Sequence, residues 1–186
     1  KIIPDIYDIL SGMVRMQSLF GAPLIAIRKE IMPAWQVAVK RGMDVVISMV
    51  ALLLLTQMLL AIAAAVKLSS KGPVFFHQER VGRWGKPFMI HKFRSMYVGA
   101  ERNGPQLSSD HDPRITKVGR LLRKSRLDEL PQFFNVLIGE MSLVGPRPER
   151  QHYIDLISKR AAHYHHLHKV RPGITSWGQV KYKKKK

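Results

Sequence analysis

The chain has 186 residues, of which 31 are Lys or Arg and 13 are Asp or Glu, so its formal net charge is +18. It has no cysteine, which excludes disulfides, thiolate metal sites and cysteine nucleophiles. The length suits one domain with attachments. The excess of cations favours a polyanionic partner, which could be nucleic acid, anionic lipid or a phosphorylated substrate.

Residues 1–39 are short and irregular, and we interpret them as a linker or as the end of an upstream domain. The apolar run Leu24–Ile27 is typical of a short strand. A helix is expected to begin at Met32–Trp35, because proline is tolerated in the first turn of a helix.

The uncharged run Val45–Val66 is the strongest compartment signal in the chain. As a helix it would be roughly 33 Å long, which is enough to cross a hydrocarbon core of about 30 Å. The alternative is a buried core helix. Such an apolar length is unusual for a soluble domain of this size, so we predict a membrane-inserted segment over residues 40–71.

The flanks of this run indicate its topology. Lys40 and Arg41 precede it and Lys67 follows it, and basic flanks favour the cytoplasmic side. Basic residues at both ends fit a re-entrant helix that breaks and returns to the same face. Thr56-Gln57 is the polar pair at the middle of the run, where a break would fall.

After the membrane segment, the chain predicts a small catalytic domain over residues 72–180 and a basic tail over 181–186. The fold class is α+β, mostly helical, with one β-hairpin. The two strands of the hairpin are expected at Val74–Gln78 and Phe88–Phe93. Three helices should follow. The first spans Ile115–Lys124, the second runs from an N-cap at Asp128 to Gly139, and the third spans Glu149–Lys169.

Asp128 and Glu129 are adjacent carboxylates at a predicted helix start. The unpaired N–H groups there would favour an ionised carboxylate and would also bind phosphate. One carboxylate could attack phosphorus while the other holds Mg²⁺, which takes one or two carboxylates plus substrate phosphates. A simple N-cap followed by a first-turn acid is the alternative explanation of these two residues alone.

The cations around these acids favour phosphate chemistry. Arginines on rigid supports suit bidentate binding of phosphate, and Arg147 stands between two prolines. A basic face against anionic headgroups would explain several of the cations but not that rigidity. The candidate phosphate-binding residues are Arg123, Arg147, Lys92, Arg94 and Arg171.

Other site types are weakly supported. His163, His165, His166 and His168 are spread over different helix faces without a nearby acid, which favours a solvated interfacial helix over a metal site. The sequence has no Walker A motif, no Gly-x-Gly-x-x-Gly fingerprint and no Gly-x-Ser-x-Gly elbow.

The ordered motifs resemble those of the bacterial sugar transferases, the monotopic polyprenyl-phosphate phosphoglycosyl transferases. The resemblance covers about residues 40–180. It is carried by Lys40-Arg41-Gly42-Met43-Asp44, Ser70-Lys71-Gly72-Pro73-Val74-Phe75-Phe76, Lys92-Phe93-Arg94-Ser95-Met96, Asp112-Pro113-Arg114-Ile115-Thr116, Leu127-Asp128-Glu129-Leu130-Pro131-Gln132, Met141-Ser142-Leu143-Val144-Gly145-Pro146-Arg147-Pro148 and Val170-Arg171-Pro172-Gly173-Ile174-Thr175.

The resemblance implies transfer of a sugar 1-phosphate from a UDP-sugar, with UDP-glucose favoured, to undecaprenyl phosphate. This reaction would occur on the cytoplasmic face of the bacterial inner membrane, at the start of exopolysaccharide, capsule or O-antigen assembly. Asp128 would be the nucleophile that forms a covalent phosphosugar intermediate and releases UMP, and Glu129 would bind Mg²⁺. Arg123 and Arg147 would contact phosphates or the nucleotide.

The resemblance also implies a membrane-lipid environment, a possible homodimer, no nucleic-acid partner and a longer protein with transmembrane helices upstream. This sequence departs from the family pattern at Thr56-Gln57, where many members have a Ser-Pro pair that breaks the membrane helix. The competing function is a catalytically inactive, membrane-anchored scaffold or polyanion-binding module.

Overall fold

A computed structural model describes residues 14–19, 22–27, 32–100, 109 and 112–181, the first two ranges by their backbone. The chain divides into two compact units, Lys1–Lys40 and Arg41–Lys186. The basic tail predicted at 181–186 and the histidine side chains at 163 and 165 lie outside the described part, apart from Lys181.

The first unit contains one antiparallel strand pair. Strand β1 (Val14–Leu19) pairs with strand β2 (Ala22–Ile27) in a register that places Val14 opposite Ile27 and Leu19 opposite Ala22. The strand predicted at Leu24–Ile27 is confirmed as part of β2.

A bent pair of helices follows. Helix α1 (Ala34–Leu54) and helix α2 (Thr56–Ser69) meet at Leu55 with a bend of 64°. The Thr56 hydroxyl donates to the Leu52 carbonyl oxygen at 2.6 Å, and such back-bonding favours a helix bend. The predicted break at Thr56-Gln57 is therefore confirmed. Taken singly, none of the described helices has the length and apolarity to cross a membrane, whereas this pair passes the same test jointly.

Helix α1 exposes apolar side chains and buries polar ones, whereas α2 buries the apolar residues Ile62 and Val66. In α1 the buried residues are Asp44 and Ser48, whereas Leu53 and Leu54 are 70% and 78% exposed. The α1 part of the apolar run therefore does not pack as a core helix, whereas Ile62 and Val66 of the α2 part are in a core.

The predicted hairpin is confirmed and is longer than expected. Strand β3 (Phe75–Val81) pairs antiparallel with strand β4 (Pro87–Phe93), so that Phe75 faces Phe93 and Val81 faces Pro87. A short 3₁₀ turn at Arg83–Gly85 connects them. Phe75 and Phe93 stack with ring centroids 5.4 Å apart.

The next helix begins slightly later than predicted. Helix α3 (Lys117–Ser125) starts after Thr116, whose side chain accepts a hydrogen bond from the Gly119 N–H at 2.9 Å. It ends at Arg126, which has the left-handed φ of 61°.

The N-cap predicted at Asp128 is wrong. A 3₁₀ turn occupies Leu127–Glu129, and helix α4 (Gln132–Ile138) begins only after Pro131. The end predicted at Gly139 is confirmed, since Gly139 has a φ of 93° and donates to helix carbonyls. The 3₁₀ turn precedes α4 because Leu127 and Leu130 pack against the first core, which fixes the backbone on both sides of Asp128 and Glu129.

The single helix predicted over Glu149–Lys169 is also wrong. Helix α5 (Gln151–Ser158) stops after two turns, and a 3₁₀ segment runs over Ala162–Lys169. Helix α6 (Trp177–Lys181) is the last described element.

Within the described residues, no group of three or more His, Asp or Glu side chains is placed to hold a metal ion.

A two-stranded parallel pair joins segments that are distant in the sequence. Strand β5 (Ser142–Val144) pairs with strand β6 (Gly173–Thr175), and the N–H of Gly173 donates to the Pro146 carbonyl at 2.9 Å. A Cβ at Gly145 would overlap the Arg171 carbonyl oxygen, so this close approach requires glycine.

Two small cores position the turn that carries Asp128 and Glu129. The first joins α2 to α3 and β4 through Ile62, Val66, Phe93 and Leu122, and the second joins β4 to α4, to the residue before β5 and to β6. The second core consists of Phe88, Ile90, Val136 and Met141, with Ile174 packed against it. The architecture is therefore mostly helical with a small antiparallel hairpin, as predicted.

Candidate active site

The two predicted carboxylates lie together on the 3₁₀ turn between α3 and α4. Asp128 is 8% exposed and the Glu129 side chain is 14% exposed. The turn is held by the Glu129 N–H, which donates to the Arg126 carbonyl at 3.2 Å, and by Leu130, which donates to Leu127. The buried Asp128 and the half-buried Glu129 are therefore pre-positioned by a fixed turn.

Glu129 is surrounded by cations. Its Oε1 accepts from Lys92 Nζ at 3.1 Å, and its Oε2 lies 3.6 Å from Arg126 Nη1. Burial alone would raise the pKa of Glu129, but the charge and hydrogen bond of Lys92, with the charges of Arg147 and Arg126, lower it below its usual value. Glu129 is therefore ionised at neutral pH.

The pKa of Asp128 is shifted in the opposite direction, above its usual value. Burial raises its pKa and the neighbouring Glu129 charge raises it further, while Lys92 and Arg123 oppose the shift. This corrects the expectation that a helix N-terminus holds Asp128 ionised, since Asp128 lies before α4. Lys92 and Arg123 oppose the rise only in part, so the pKa of Asp128 lies above its usual value.

Arg147 extends from the loop that the β5–β6 pair fixes. Its Nε lies 3.5 Å from Glu149 Oε1, and its charge also lowers the pKa of Glu129. Glu149 is in turn 3.5 Å from Arg80 Nη1, and the Val81 N–H donates to the Glu149 carbonyl at 3.0 Å. The loop is thereby tied to the hairpin, which sets the position of Arg147.

An open cavity of about 400 Å³ lies beside Glu129. One wall is apolar, with Leu130, Phe133 and Ile174, and Arg126 is on the cationic side. A second, much narrower cavity joins Glu129 to Lys92 and Arg147. A charged group on a partly apolar ligand could therefore reach the carboxylates from this side.

The structure brings five of the seven predicted residues into one neighbourhood: Asp128, Glu129, Lys92, Arg123 and Arg147. Arg94 is placed elsewhere. Its Nη2 donates to the carbonyls of Ser70 at 2.6 Å and Val66 at 3.3 Å, so it supports the end of α2. Its role in phosphate binding stays a prediction.

Arg171 also lies in a different group of charges. Its pKa is lowered by burial and by the charges of Arg41 and Arg83, whereas Asp44 raises it. Neither Asp128 nor Glu129 is among the groups that shift it. The sequence predicted a phosphate-binding role for Arg171 but not this set of neighbours.

The two carboxylates of the candidate site fit a Mg²⁺ ion whose coordination is completed by substrate phosphates. Asp128 and Glu129 supply the one or two carboxylates that Mg²⁺ uses when substrate phosphates complete its coordination. Glu129 is ionised, as a ligand must be, although Lys92 and Arg126 now contact both of its oxygens. Mg²⁺ binding at Glu129 stays a prediction.

Three supporting residues were missed by sequence reasoning. Asn135 is fully buried, and its amide group accepts from the His91 N–H at 3.0 Å and donates to the Met89 carbonyl at 2.8 Å, which fixes α4 to β4. Gln132 and Arg80 line the narrow cavity. No sequence motif marks Asn135 or Arg80 as part of the site. Gln132 could have been found, because it lies about one helical turn after Asp128.

The candidate site thus consists of a buried and a half-buried carboxylate with arginine and lysine side chains around them. The sequence pattern described as "Bacterial sugar transferase" matches residues 35–186. This chain belongs to the bacterial sugar transferase family, which confirms the resemblance read from its motifs.

Individual relatives agree with this assignment. The chain is 44% identical over 178 residues to a UDP-N-acetylgalactosamine-undecaprenyl-phosphate N-acetylgalactosaminephosphotransferase of Aeromonas hydrophila, covering 96% of this chain and 41% of the relative. It is 42% identical over 179 residues to a UDP-glucose:undecaprenyl-phosphate glucose-1-phosphate transferase of Escherichia coli K12, covering 96% and 39%. The same name applies to a Xanthomonas campestris relative, 42% identical over 183 residues, covering 97% and 38%. The chain thus spans about two fifths of the length of these relatives.

Proposed function

We propose that this chain transfers a sugar 1-phosphate from a UDP-sugar to undecaprenyl phosphate. The observation that carries the proposal is the adjacent pair of the buried Asp128 and the half-buried Glu129, held beside Lys92 and Arg147, in a member of the bacterial sugar transferase family. Relatives named for both donor and acceptor support the substrate classes.

The proposed first step uses Asp128 as the nucleophile. A carboxylate oxygen of Asp128 attacks the phosphorus that carries the sugar, and the bond from that phosphorus to the bridging oxygen of UMP breaks. UMP leaves with the electron pair, and the sugar phosphate remains on Asp128 as an acyl phosphate, a mixed anhydride of the carboxylate and the phosphate. Lys92, Arg123 and Arg147 would balance the negative charge that develops at phosphorus.

The second step regenerates the carboxylate. A phosphate oxygen of the lipid attacks the same phosphorus, and the bond to Asp128 breaks, so the product is a lipid diphosphate sugar. Two displacements through a covalent intermediate replace one difficult transfer. Mg²⁺, when bound through Glu129, would supply further neutralisation of phosphate charge.

We further propose that the bent pair α1 and α2 inserts into the cytoplasmic membrane from the cytoplasmic face, where the catalytic domain lies. The exposed apolar side chains Leu53, Leu54, Leu60 and Leu68 support this, because in water they would form an unpartnered apolar surface. A homodimer and a place at the start of exopolysaccharide, capsule or O-antigen assembly belong to the same proposal.

The decisive test is UMP release from a panel of UDP-sugars with undecaprenyl phosphate and Mg²⁺. We expect turnover with UDP-glucose, loss of turnover in Asp128→Asn, and a weaker Mg²⁺ dependence in Glu129→Gln. The matched control is Asp155→Asn, which removes an exposed acid on α5. Near-normal turnover of Asp128→Asn would exclude this nucleophile, and an inactive wild type that binds polyanions would favour the scaffold alternative.

The topology has its own test. Because the chain has no cysteine, Lys40→Cys and Leu68→Cys create single labelling sites on the two sides of the apolar run Val45–Val66. Neither site should react with an impermeant thiol reagent added outside intact cells. Reaction at either position would support a full span instead of re-entry.

A further inference from the structure

A buried amide side chain on α4 lines the narrow cavity beside Glu129. It belongs to Gln132, the first residue of the helix, which is 2% exposed. The buried residues of α4 are Gln132, Asn135 and Val136, whose spacing places them on one face of the helix. Asn135 bonds to β4 and Val136 packs in the second core, so the face that carries Gln132 is fixed against β4.

The side-chain nitrogen of Gln132 lacks an acceptor. Its Nε2 is buried, and among the described residues no hydrogen-bond partner contacts it. The carboxylate of Glu129 is already engaged, because Oε1 accepts from Lys92 and Oε2 lies 3.6 Å from Arg126. Buried amide groups in proteins are nearly always hydrogen-bonded, since a desolvated donor without an acceptor is unfavourable. An unpaired one at the wall of a cavity therefore indicates a ligand.

The charges on the narrow cavity favour an anionic oxygen as the acceptor for this N–H group. Its lining includes the cations Arg80, Lys92 and Arg147 together with the carboxylate of Glu129. Arg80 and Arg147 each lie 3.5 Å from a carboxylate oxygen of Glu149, which fixes the positions of both guanidinium groups. A phosphate oxygen accepts charge-assisted hydrogen bonds from such donors.

The size of the narrow cavity suits a single oxygen atom. Its volume is about 10 Å³, close to the minimum that holds one water molecule. The open cavity of about 400 Å³ shares Glu129 and Ile174 with it, so the two spaces adjoin. A phosphate group in the open cavity could therefore place one oxygen in the narrow one, where Gln132 would donate to it.

We propose that Gln132 contacts the substrate, with its Nε2 donating to a nonbridging oxygen of the phosphoryl group that is transferred. This inference rests on the proposed function. The same phosphorus is attacked in both displacements, first by Asp128 and then by the lipid phosphate, so one donor on a fixed helix serves both steps. No bond to Gln132 forms or breaks. Its hydrogen bond holds the phosphorus beside the carboxylate pair and balances negative charge at the oxygen.

The test compares Gln132→Met, which keeps the length of the side chain and removes the donor, with Gln132→Glu, which replaces the donor by an oxygen. The matched control is Gln151→Met, since Gln151 is exposed on α5 and donates to Asp155 at 2.7 Å. UMP release from UDP-glucose with undecaprenyl phosphate and Mg²⁺ gives kcat and the KM values for donor and acceptor. Calorimetry measures the affinity for UDP-glucose in an Asp128→Asn background, and thermal unfolding in detergent gives Tm.

We expect Gln132→Met to lower kcat/KM for the donor about thirtyfold and the affinity for UDP-glucose about tenfold, as loss of a hydrogen bond to a charged group does. Gln132→Glu should lose at least as much, because its carboxylate repels the phosphate. The Tm of Gln132→Met should equal or exceed that of the wild type, because the substitution removes a buried donor that has no partner among the described residues. Gln151→Met should change neither kcat/KM nor affinity by more than about twofold, as expected for a surface substitution.

Four results would overturn the proposal. Unchanged kcat/KM and affinity in Gln132→Met would mean that water is the partner of the amide, and a loss of activity with a parallel fall in Tm would indicate a structural role. Tolerance of Gln132→Glu would show that the contact does not use the N–H group, and a change confined to the KM for the acceptor would assign the contact to the lipid phosphate. A wild type that releases no UMP, but whose affinity for UDP-glucose depends on Gln132, would reject the proposed function alone. Equal turnover of an active wild type and Gln132→Met would reject the contact alone.

Discussion

Replacing Lys92 with methionine tests the electrostatic account of the carboxylate pair. Lys92 Nζ and Glu129 Oε1 are 3.1 Å apart, and their side chains are 19% and 14% exposed. At an effective dielectric constant of about 20, two unit charges at that separation attract by roughly 5 kcal/mol. Removing one partner of a buried pair typically costs about 3–5 kcal/mol.

We expect the low end, about 3 kcal/mol at pH 7, because Arg126 and Arg147 still act on Glu129. For a protein of this size, that corresponds to a fall in Tm of about 6–12 °C, measured by thermal unfolding in detergent. Lys86→Met, an exposed control in the hairpin turn, should leave Tm nearly unchanged.

The pH dependence gives the sign of the effect. The folded-state pKa of Glu129 is lowered, so the pair stabilises the fold fully above the unfolded pKa of about 4.3 and loses this effect as pH falls through the lower folded value. The Tm difference between wild type and Lys92→Met should therefore shrink below about pH 4. Lys92 also lowers the pKa of Asp128, so the acid limb of turnover should move to higher pH in the variant.

The same reasoning predicts that Glu129→Gln rescues part of the loss caused by Lys92→Met, because no unpaired carboxylate then remains buried. The double variant should be more stable than the sum of the single effects by at least about 1 kcal/mol. An additive result, or an equal Tm difference at pH 7 and pH 4, would refute the account of the pair.

Substitutions at Asn135 and Gly119 test the packing that holds α4 and α3 in place. Asn135→Leu should destabilise the fold by about 2–4 kcal/mol in denaturant unfolding, because the His91 N–H loses its acceptor and the Met89 carbonyl loses its donor; a loss below about 1 kcal/mol would mean that water replaces the amide. Gly119→Ala should destabilise by several kcal/mol, since its Cβ would overlap the Ser95 carbonyl oxygen, whereas Gly42→Ala has open space and should stabilise α1 by up to about 1 kcal/mol. Equal effects of the two glycine substitutions on Tm would contradict the packing of α3 on the strand end.

Local chemistry was sufficient to predict the elements whose signals are local. The hairpin followed from two apolar runs around a glycine-rich turn, and the helix break followed from Thr56 in an apolar run. The end of α4 followed from Gly139, whose left-handed φ of 93° suits glycine.

The errors occurred where tertiary packing decided the backbone. Asp128 is a favoured N-cap type, but Leu127 and Leu130 pack into the core on either side of it and impose a 3₁₀ turn. Lys92 and Arg94 looked equivalent in the sequence. They diverge because β4 ends at Phe93, so that Lys92 contacts Glu129 and Arg94 contacts Ser70.

The site residues were predictable as a set, but their neighbours were not. Arg147 could be recognised from its two flanking prolines, whereas its approach to Glu129 depends on the pairing of β5 with β6. Arg171 looked like a member of the same phosphate site. Only the folded structure separates it, because its neighbours Arg41 and Arg83 are about 90 or more residues away in the chain.

The β5–β6 pair also has a consequence for biosynthesis. The loop that carries Arg147 is fastened by Pro172, Gly173 and Thr175, which the ribosome adds more than twenty residues later. Until those residues emerge, Arg147 lacks the backbone support that holds it near Glu129, although the segment containing Asp128 has already been made. Completion of the candidate site is thereby deferred to a late stage of translation, after the bent helix pair has left the ribosome.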